Sequence, residues 1–160
     1  MAYHDDLLNQ ALQPVHREPG NPKQASLRRA VSTACYALFH LLISEAVANW
    51  RRVDLRAALS RAFDHSIMKA ASNRIQDSRQ FPFTGEEPGV VAALKSVAKT
   101  FAQLQEKRHI ADYDNTTFWT RTEALAPVKS AEQAFATWKL IRNEQVAQAY
   151  LVSLVVRKRD

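Results

Sequence analysis

Residues 22–50 read PKQASLRRAVSTACYALFHLLISEAVANW, and this stretch decides the fold. It holds no glycine and no proline after its first residue, and its apolar side chains fall on more than one face of a helix. That is the pattern of a helix at the centre of a bundle, not of one lying on a surface. Asn21 suits an N-cap, Pro22 suits the first helical position, and Gln24 stands three residues after the cap, as in a capping box. The spacing predicts a helix from Pro22 to about Trp50, about 28 residues and roughly 42 Å long at 1.5 Å per residue.

Working outward, the chain supports the same class. Of its 160 residues 46% are apolar and 24% charged, ordinary globular usage that excludes disordered and fibrous classes. Three glycines against six prolines leave too few turns for an all-β sandwich. The expectation is one all-α domain over residues 1–160. Upstream, Leu7, Leu8, Ala11, Leu12 and Val15 predict a short amphipathic helix over residues 2–15, bent at Pro14, before HREPGNP breaks the chain. Downstream, Asp54 suits the cap of a third helix carrying Leu55, Ala58, Leu59, Ala62 and Phe63. Asp64-His65-Ser66 offers a second cap, so one helix or two short ones fit. QDSRQFPFTGEEPG, with Pro82, Gly85, Pro88 and Gly89, reads as a loop pinned by Phe81 and Phe83. A fourth helix opens near Pro88 and repeats Val91, Leu94, Val97, Ala98, Phe101 and Leu104 toward EKRHIADYD. The last helix starts from a Thr120/Glu123 capping box and is predicted to run to Val156, kinked at Pro127.

The single cysteine, Cys35, forms no intramolecular disulfide, which points to a reducing cytoplasm. MAYHDDLLNQ has no signal-peptide pattern, and the nearly uncharged run Ala34 to Ile43 is too short to span a bilayer, so no membrane association is expected. No zinc, dinucleotide or P-loop motif occurs, and no cofactor or metal is expected. The net charge of +6 suits an acidic partner. However, Arg51, Arg52, Arg157, Lys158 and Arg159 fall at helix ends or in the tail, where helix dipoles account for them.

Two constellations carry chemistry. Arg29, Thr33, Tyr36 and His40 lie at steps of four, three and four, one polar stripe about 60° wide on the central helix. It reads either as core residues with hydrogen-bonded tips or as one wall of a polar cleft. The second is Lys107-Arg108-His109-Ile110-Ala111-Asp112-Tyr113-Asp114. On a helix, Arg108 and Asp112 are i,i+4 neighbours and His109 meets Asp112 and Tyr113, gathering a cation, an imidazole, a carboxylate and a phenol. Arg108 with Asp112 alone is also an ordinary surface ion pair. A metal site on His109, Asp112 and Asp114 lacks a second cluster to supply further ligands.

ASLRRAVSTACYALFHLLISEA, followed after about seventy residues by EKRHIADYDN, resembles the HEPN superfamily of small prokaryotic helical domains. The similarity lies with the branch whose helix reads roughly Ala-x-Ser-Arg-x-Tyr-Tyr-Ala-x-Phe-His and whose later helix ends Arg-x-x-Ala-Asp-Tyr-Asp. It extends from about Tyr3 to Tyr150, and His65-Ser66 fits a His-Ser of that family. The resemblance implies an up-and-down bundle of four main helices plus a short extra segment, dimerised so that two polar patches share a cleft. Many members are metal-independent ribonucleases that act as toxins beside a nucleotidyltransferase antitoxin or serve in phage defence; others are non-catalytic.

In active members an arginine is followed four to six residues later by a histidine. Arg108 matches the arginine, but Tyr113 stands five residues on. On the central helix Tyr36, Phe39 and His40 match, whereas Ser32-Thr33 and Cys35-Tyr36 replace a Ser-Arg and a Tyr-Tyr, and Arg29 lies one turn before Thr33. RNA cleavage without metal needs a base for the ribose 2′-hydroxyl, a cation for the phosphate and an acid for the leaving oxygen. The catalytic candidates are therefore Arg108 as cation, His109 and His40 as bases, and Tyr113 as donor to phosphate. Arg29, Tyr36, Lys107 and Asp112 are substrate-binding candidates. The resemblance also permits nucleotide addition to Tyr113. Expected partners are a second copy of the chain, RNA and a nucleotidyltransferase-type antitoxin; the competing reading is a non-catalytic dimerisation module that binds a nucleotide or protein.

Overall fold

The computed structural model describes residues 2–17, 19–81 and 83–157. Glu18 in the expected break, Pro82 in the expected loop, and Lys158 and Arg159 in the tail lie outside them. The described residues form seven α-helices, one 3-10 turn and no strand. After α1 (Tyr3–Arg17), which runs through Pro14, comes α2 (Gln24–Ala48). The apolar faces of α2 are covered on several sides, by α1, α5 (Pro88–Tyr113) and α6 (Arg121–Ile141). Leu27, Val31, Ala34, Leu38 and Leu42 are accordingly buried. By length and composition α2 also passes for a membrane span, with mean hydropathy 1.5 over an 18-residue window of which half is buried. This window is longer than the run from Ala34 to Ile43 alone.

The start of α2 departs from expectation. Its N-cap is Lys23, without a side-chain cap, and the Asn21–Gln24 box does not form. Gln24 is engaged elsewhere: its Nε2 donates to the Trp119 carbonyl at 2.7 Å and its Oε1 accepts from the Trp119 backbone N–H at 2.9 Å. One amide side chain thus satisfies a donor and an acceptor of the segment leading into α6.

The middle of the chain resolves into two short helices, α3 (Arg56–Ser60) after the 3-10 turn Val53–Leu55, and α4 (His65–Arg74). Asp64 caps α4 through Ser66 N and Ile67 N, whereas Asp54 pairs with Arg52 at 3.2 Å and caps nothing. Neither the 3-10 turn nor α3 buries a residue, so the stripe from Leu55 to Ala62 is not core; Phe63 is its only buried member. Phe81 and Phe83 pack against the core, their rings 5.2 Å apart.

The last helix is two helices. α6 passes through Pro127 and ends at Ile141, and α7 (Gln145–Ser153) follows a turn. Arg142 is held at that turn by Glu45 of α2, at 2.6 and 3.1 Å, while its carbonyl accepts from Gln148 Nε2 at 2.6 Å. The turn lets α7 bury Val146, Tyr150 and Leu151, with the Tyr150 hydroxyl 2.7 Å from Ser72 Oγ of α4. At the other end of α6 the Thr120–Glu123 capping box is formed. Thr120→Ala is expected to cost about 1 kcal/mol, read as a lower urea midpoint at unchanged m-value.

Candidate functional site

The last turns of α5 carry Gln105, Arg108 and Asp112 at steps of three and four, which keeps them on one face. That face meets Ser32, Cys35 and Tyr36 of α2. Arg108 Nε donates to Gln105 Oε1 at 3.2 Å, and Nη1 donates to the Tyr36 hydroxyl at 3.3 Å and to Asp112 Oδ2 at 3.4 Å. The guanidinium also lies 5.6 Å from the Tyr36 ring centroid. Ser32 Oγ donates to the other Asp112 oxygen, and Cys35 Sγ to Gln105 Oε1 at 3.5 Å. Burial pushes the Cys35 thiol up to about 12, so it stays protonated and serves as a donor. The side chains of Arg108 and Asp112 remain only 16% and 28% exposed. Arg108 Nη2 makes no hydrogen bond with the described residues.

α4 supplies the opposite wall. His65 stacks on Phe39 of α2, with centroids 3.7 Å apart and planes within 9°, and meets Tyr36 edge-on at 5.6 Å. Its Nδ1 is buried with no hydrogen-bond partner among the described residues. Burial, reinforced by the charge of Arg108, pushes its pKa down to about 4, so the ring is neutral near pH 7. Between α4 and α5 opens a pocket of about 360 Å³ lined by His65, Ser66 and Lys69 on one side and Gln105, Glu106, Arg108 and His109 on the other. Lys69 Nζ reaches Glu106 at 3.2 Å.

The residues singled out in the sequence divide into groups. Arg108, Asp112 and Tyr36 come together. His109 is exposed at the pocket, its ring 5.1 Å from that of Tyr113. Tyr113 is 67% exposed and outside the pocket lining; five residues carry it about 140° around the helix from Arg108, whereas four carry Asp112 only about 40°, within reach of the guanidinium. Lys107, about 100° from Arg108, lines a separate hollow with Ala126 and Pro127 of α6.

The polar stripe of α2 is not one wall. Tyr36 turns to Arg108, while His40 meets Tyr3 of α1 at 4.9 Å and lines another hollow with His4 and Arg56. Arg29 is exposed and makes no hydrogen bond with the described residues. The cation that meets the end of α5 is its neighbour Arg28, which donates to the carbonyls of Ala111, Asp114 and Thr117 at 2.9, 2.8 and 2.5 Å. The Asp114 carboxylate accepts from Thr116 and Thr117, bonds that hold its pKa down to about 2. No group of three His, Cys, Asp or Glu side chains placed to hold a metal occurs among the described residues.

Sequence reasoning did not place Gln105, Ser32, Cys35 or Lys69 in the site. His65 appeared only in the Asp64-His65-Ser66 cap and in the His65-Ser66 string, with no role in the site. Comparison with family models, curated proteins and solved structures finds no match.

The neutral His65 has a consequence for stability. Its folded pKa lies below the usual histidine value, so the unfolded chain binds the extra proton more readily. The stabilisation is complete above about pH 6.5 and is lost as pH falls toward about 4. His40, lowered by burial and by His4, acts in the same direction. Urea midpoints measured from pH 7 to pH 4 are expected to fall, and to fall less steeply in His65→Gln; an unchanged slope in that variant would contradict the assignment.

Proposed function

We propose that the chain is a HEPN-like, RNA-directed protein of the cytoplasm, with α1, α2, α5 and α6 as its four main helices. In this reading it acts as a homodimer and as the toxin of a toxin–antitoxin or defence system, cleaving RNA without metal. A nucleotidyltransferase-type protein is its proposed antitoxin. The observation that carries this reading is the Arg108 guanidinium. Gln105, Tyr36 and Asp112 hold it through Nε and Nη1, and Nη2 makes no hydrogen bond with the described residues on a pocket shared with Lys69, His65 and His109.

A guanidinium fixed in this way is pre-organised to donate to phosphoryl oxygens, while the nearby Lys69 ammonium is paired with Glu106 at 3.2 Å and leaves Arg108 as the main cation for a phosphate. His109, exposed at the pocket, is the group for accepting the 2′-hydroxyl proton; the 2′-oxygen then bonds to phosphorus as the bond to the 5′-oxygen breaks, and the leaving oxygen takes its proton from solvent water. The neutral ring of His65 supplies a hydrogen-bond acceptor beside the phosphate rather than a third positive charge. The test is cleavage of RNA by nuclease-free protein in the presence of a chelator, with toxicity on expression as the cellular readout. Cleavage unaffected by Arg108→Ala would sink the proposal.

A second reading is favoured by the Asp112 carboxylate, which is bonded to both Arg108 and Ser32 and offsets the cation. In a non-catalytic module this network serves structure, and the pocket takes a nucleotide or a partner side chain. Nucleotide binding with no RNA cleavage by the wild type would select this reading.

A further inference from the structure

The end of the molecule where α2 and α7 terminate collects more than half of the large apolar side chains exposed among the described residues. Of the nine large apolar side chains exposed among the described residues, five are Trp50, Val53, Leu55, Val152 and Val156. Trp50 and Val152 line an apolar groove of about 280 Å³ with Leu59, Phe63, Leu151 and Val155. Val53, Leu55 and Val156 adjoin it along the chain. No residue of α3 is fully buried, and Leu59, which packs against the edge of the core, keeps part of its surface in the groove beside the last turns of α2 and α7.

The chain beside the groove carries unpaired cations. Residues 45–64 hold four arginines and three acids, Glu45, Asp54 and Asp64, of which Glu45 pairs with Arg142 and Asp64 caps α4, and residues 145–157 contain Arg157 and no acid. Arg52 is paired with Asp54, and Arg56 donates to the carbonyls of Trp50 and Ala48 at 2.9 Å each. Arg51, Arg61 and Arg157 are exposed, with no ion pair to the described residues. Apolar patches with a polar rim mark interaction sites, and here the charge chooses the occupant. A second copy seated on this face would set arginines against arginines. A concave apolar floor bounded by cations complements a helix with an apolar stripe and acidic flanks.

We propose that this groove docks an acidic amphipathic helix of a partner protein, with Trp50, Leu59 and Val152 taking its apolar stripe and Arg51, Arg61 and Arg157 its carboxylates. The assignment is independent of the reading of the Arg108 pocket, which the following variants leave intact.

The probe is a fluorescein-labelled synthetic helix of about 18 residues, with leucines at i, i+3, i+4 and i+7 and glutamates between them. It is titrated with the full chain beside a scrambled peptide of the same composition and vesicles containing phosphatidylserine. The expected result is binding of the patterned peptide alone, weakened about tenfold or more by Val152→Glu and by Arg51→Glu combined with Arg61→Glu. These positions are exposed, and circular dichroism checks that the variants remain folded. Equal binding of the scrambled peptide, binding of vesicles in place of the peptide, or binding of neither probe would each overturn the proposal.

Discussion

Replacing Arg108 with alanine is expected to lower the proposed metal-independent RNA cleavage by about 10²–10³-fold, the usual effect of removing one pre-organised donor to a developing oxyanion. The side chain leaves three groups behind. Gln105 Oε1 retains Cys35 Sγ and Asp112 retains Ser32 Oγ, but the Tyr36 hydroxyl loses its Arg108 bond and the pocket loses its central cation. The stability cost is set by these partly buried groups at about 1–3 kcal/mol, so the variant is expected to fold. Arg108→Lys separates charge from geometry. An ammonium cannot reproduce the bonds to Gln105, Tyr36 and Asp112 while presenting two further donors to a ligand, so it is expected to restore no more than about a tenth of the activity. Single-turnover cleavage of a labelled RNA in chelator, with melting curves on the same preparations, checks both variants. Full activity in Arg108→Lys would show that charge alone matters and that the bonds holding the guanidinium do not.

The parts of the fold legible in the sequence are those set by neighbours within one or two helical turns. Asp64, Pro88 and Thr120 mark helix starts because a cap or a missing N–H acts locally, and the apolar periodicity of residues 24–48 and 88–113 follows from burial on helical faces. Where long-range bonds intervene, the local rule gives way. The Asn21 box fails because Gln24 is bound to Trp119, 95 residues away, and the last helix breaks where Arg142 binds Glu45, 97 residues away.

The site divides by the same logic. The Arg108–Asp112 pair is an i,i+4 relation that the sequence displays. The bonds of Ser32 to Asp112 and Cys35 to Gln105, and the stacking of His65 on Phe39, depend on how α2, α4 and α5 are rotated against each other, which no single helix encodes. His40 and Arg29 illustrate the converse. They share a stripe with Tyr36, yet the helix extends far enough that α1 meets one end and solvent the other.

Arg28→Ala is expected to be the most destabilising polar substitution near the site. α5 ends at Tyr113, and its last carbonyls lack helical donors. One guanidinium supplies one of the missing partners, for Ala111 at the helix end, and also binds the carbonyls of Asp114 and Thr117 in the segment that follows. Charge-assisted bonds to carbonyls contribute about 1.5–3 kcal/mol each, but water reaches these half-buried acceptors once the side chain is gone, so the total loss is set at about 2–4 kcal/mol. For a chain of this length that lowers Tm by roughly 4–16 °C. Arg28→Lys, which can serve only one or two of the three carbonyls, is expected to fall between wild type and alanine. The effect should also be local. Residues 111–119 carry Asp112 and join α5 to α6, so their amides should lose hydrogen-exchange protection before those in the middle of α5. The displaced Asp112 then releases Arg108, and on the proposed reading RNA affinity should change at temperatures where the protein is still folded. A variant that melted at the wild-type temperature would show that solvent satisfies the end of α5 as well as Arg28 does, and that Asp112 is positioned by Ser32 and Arg108 alone.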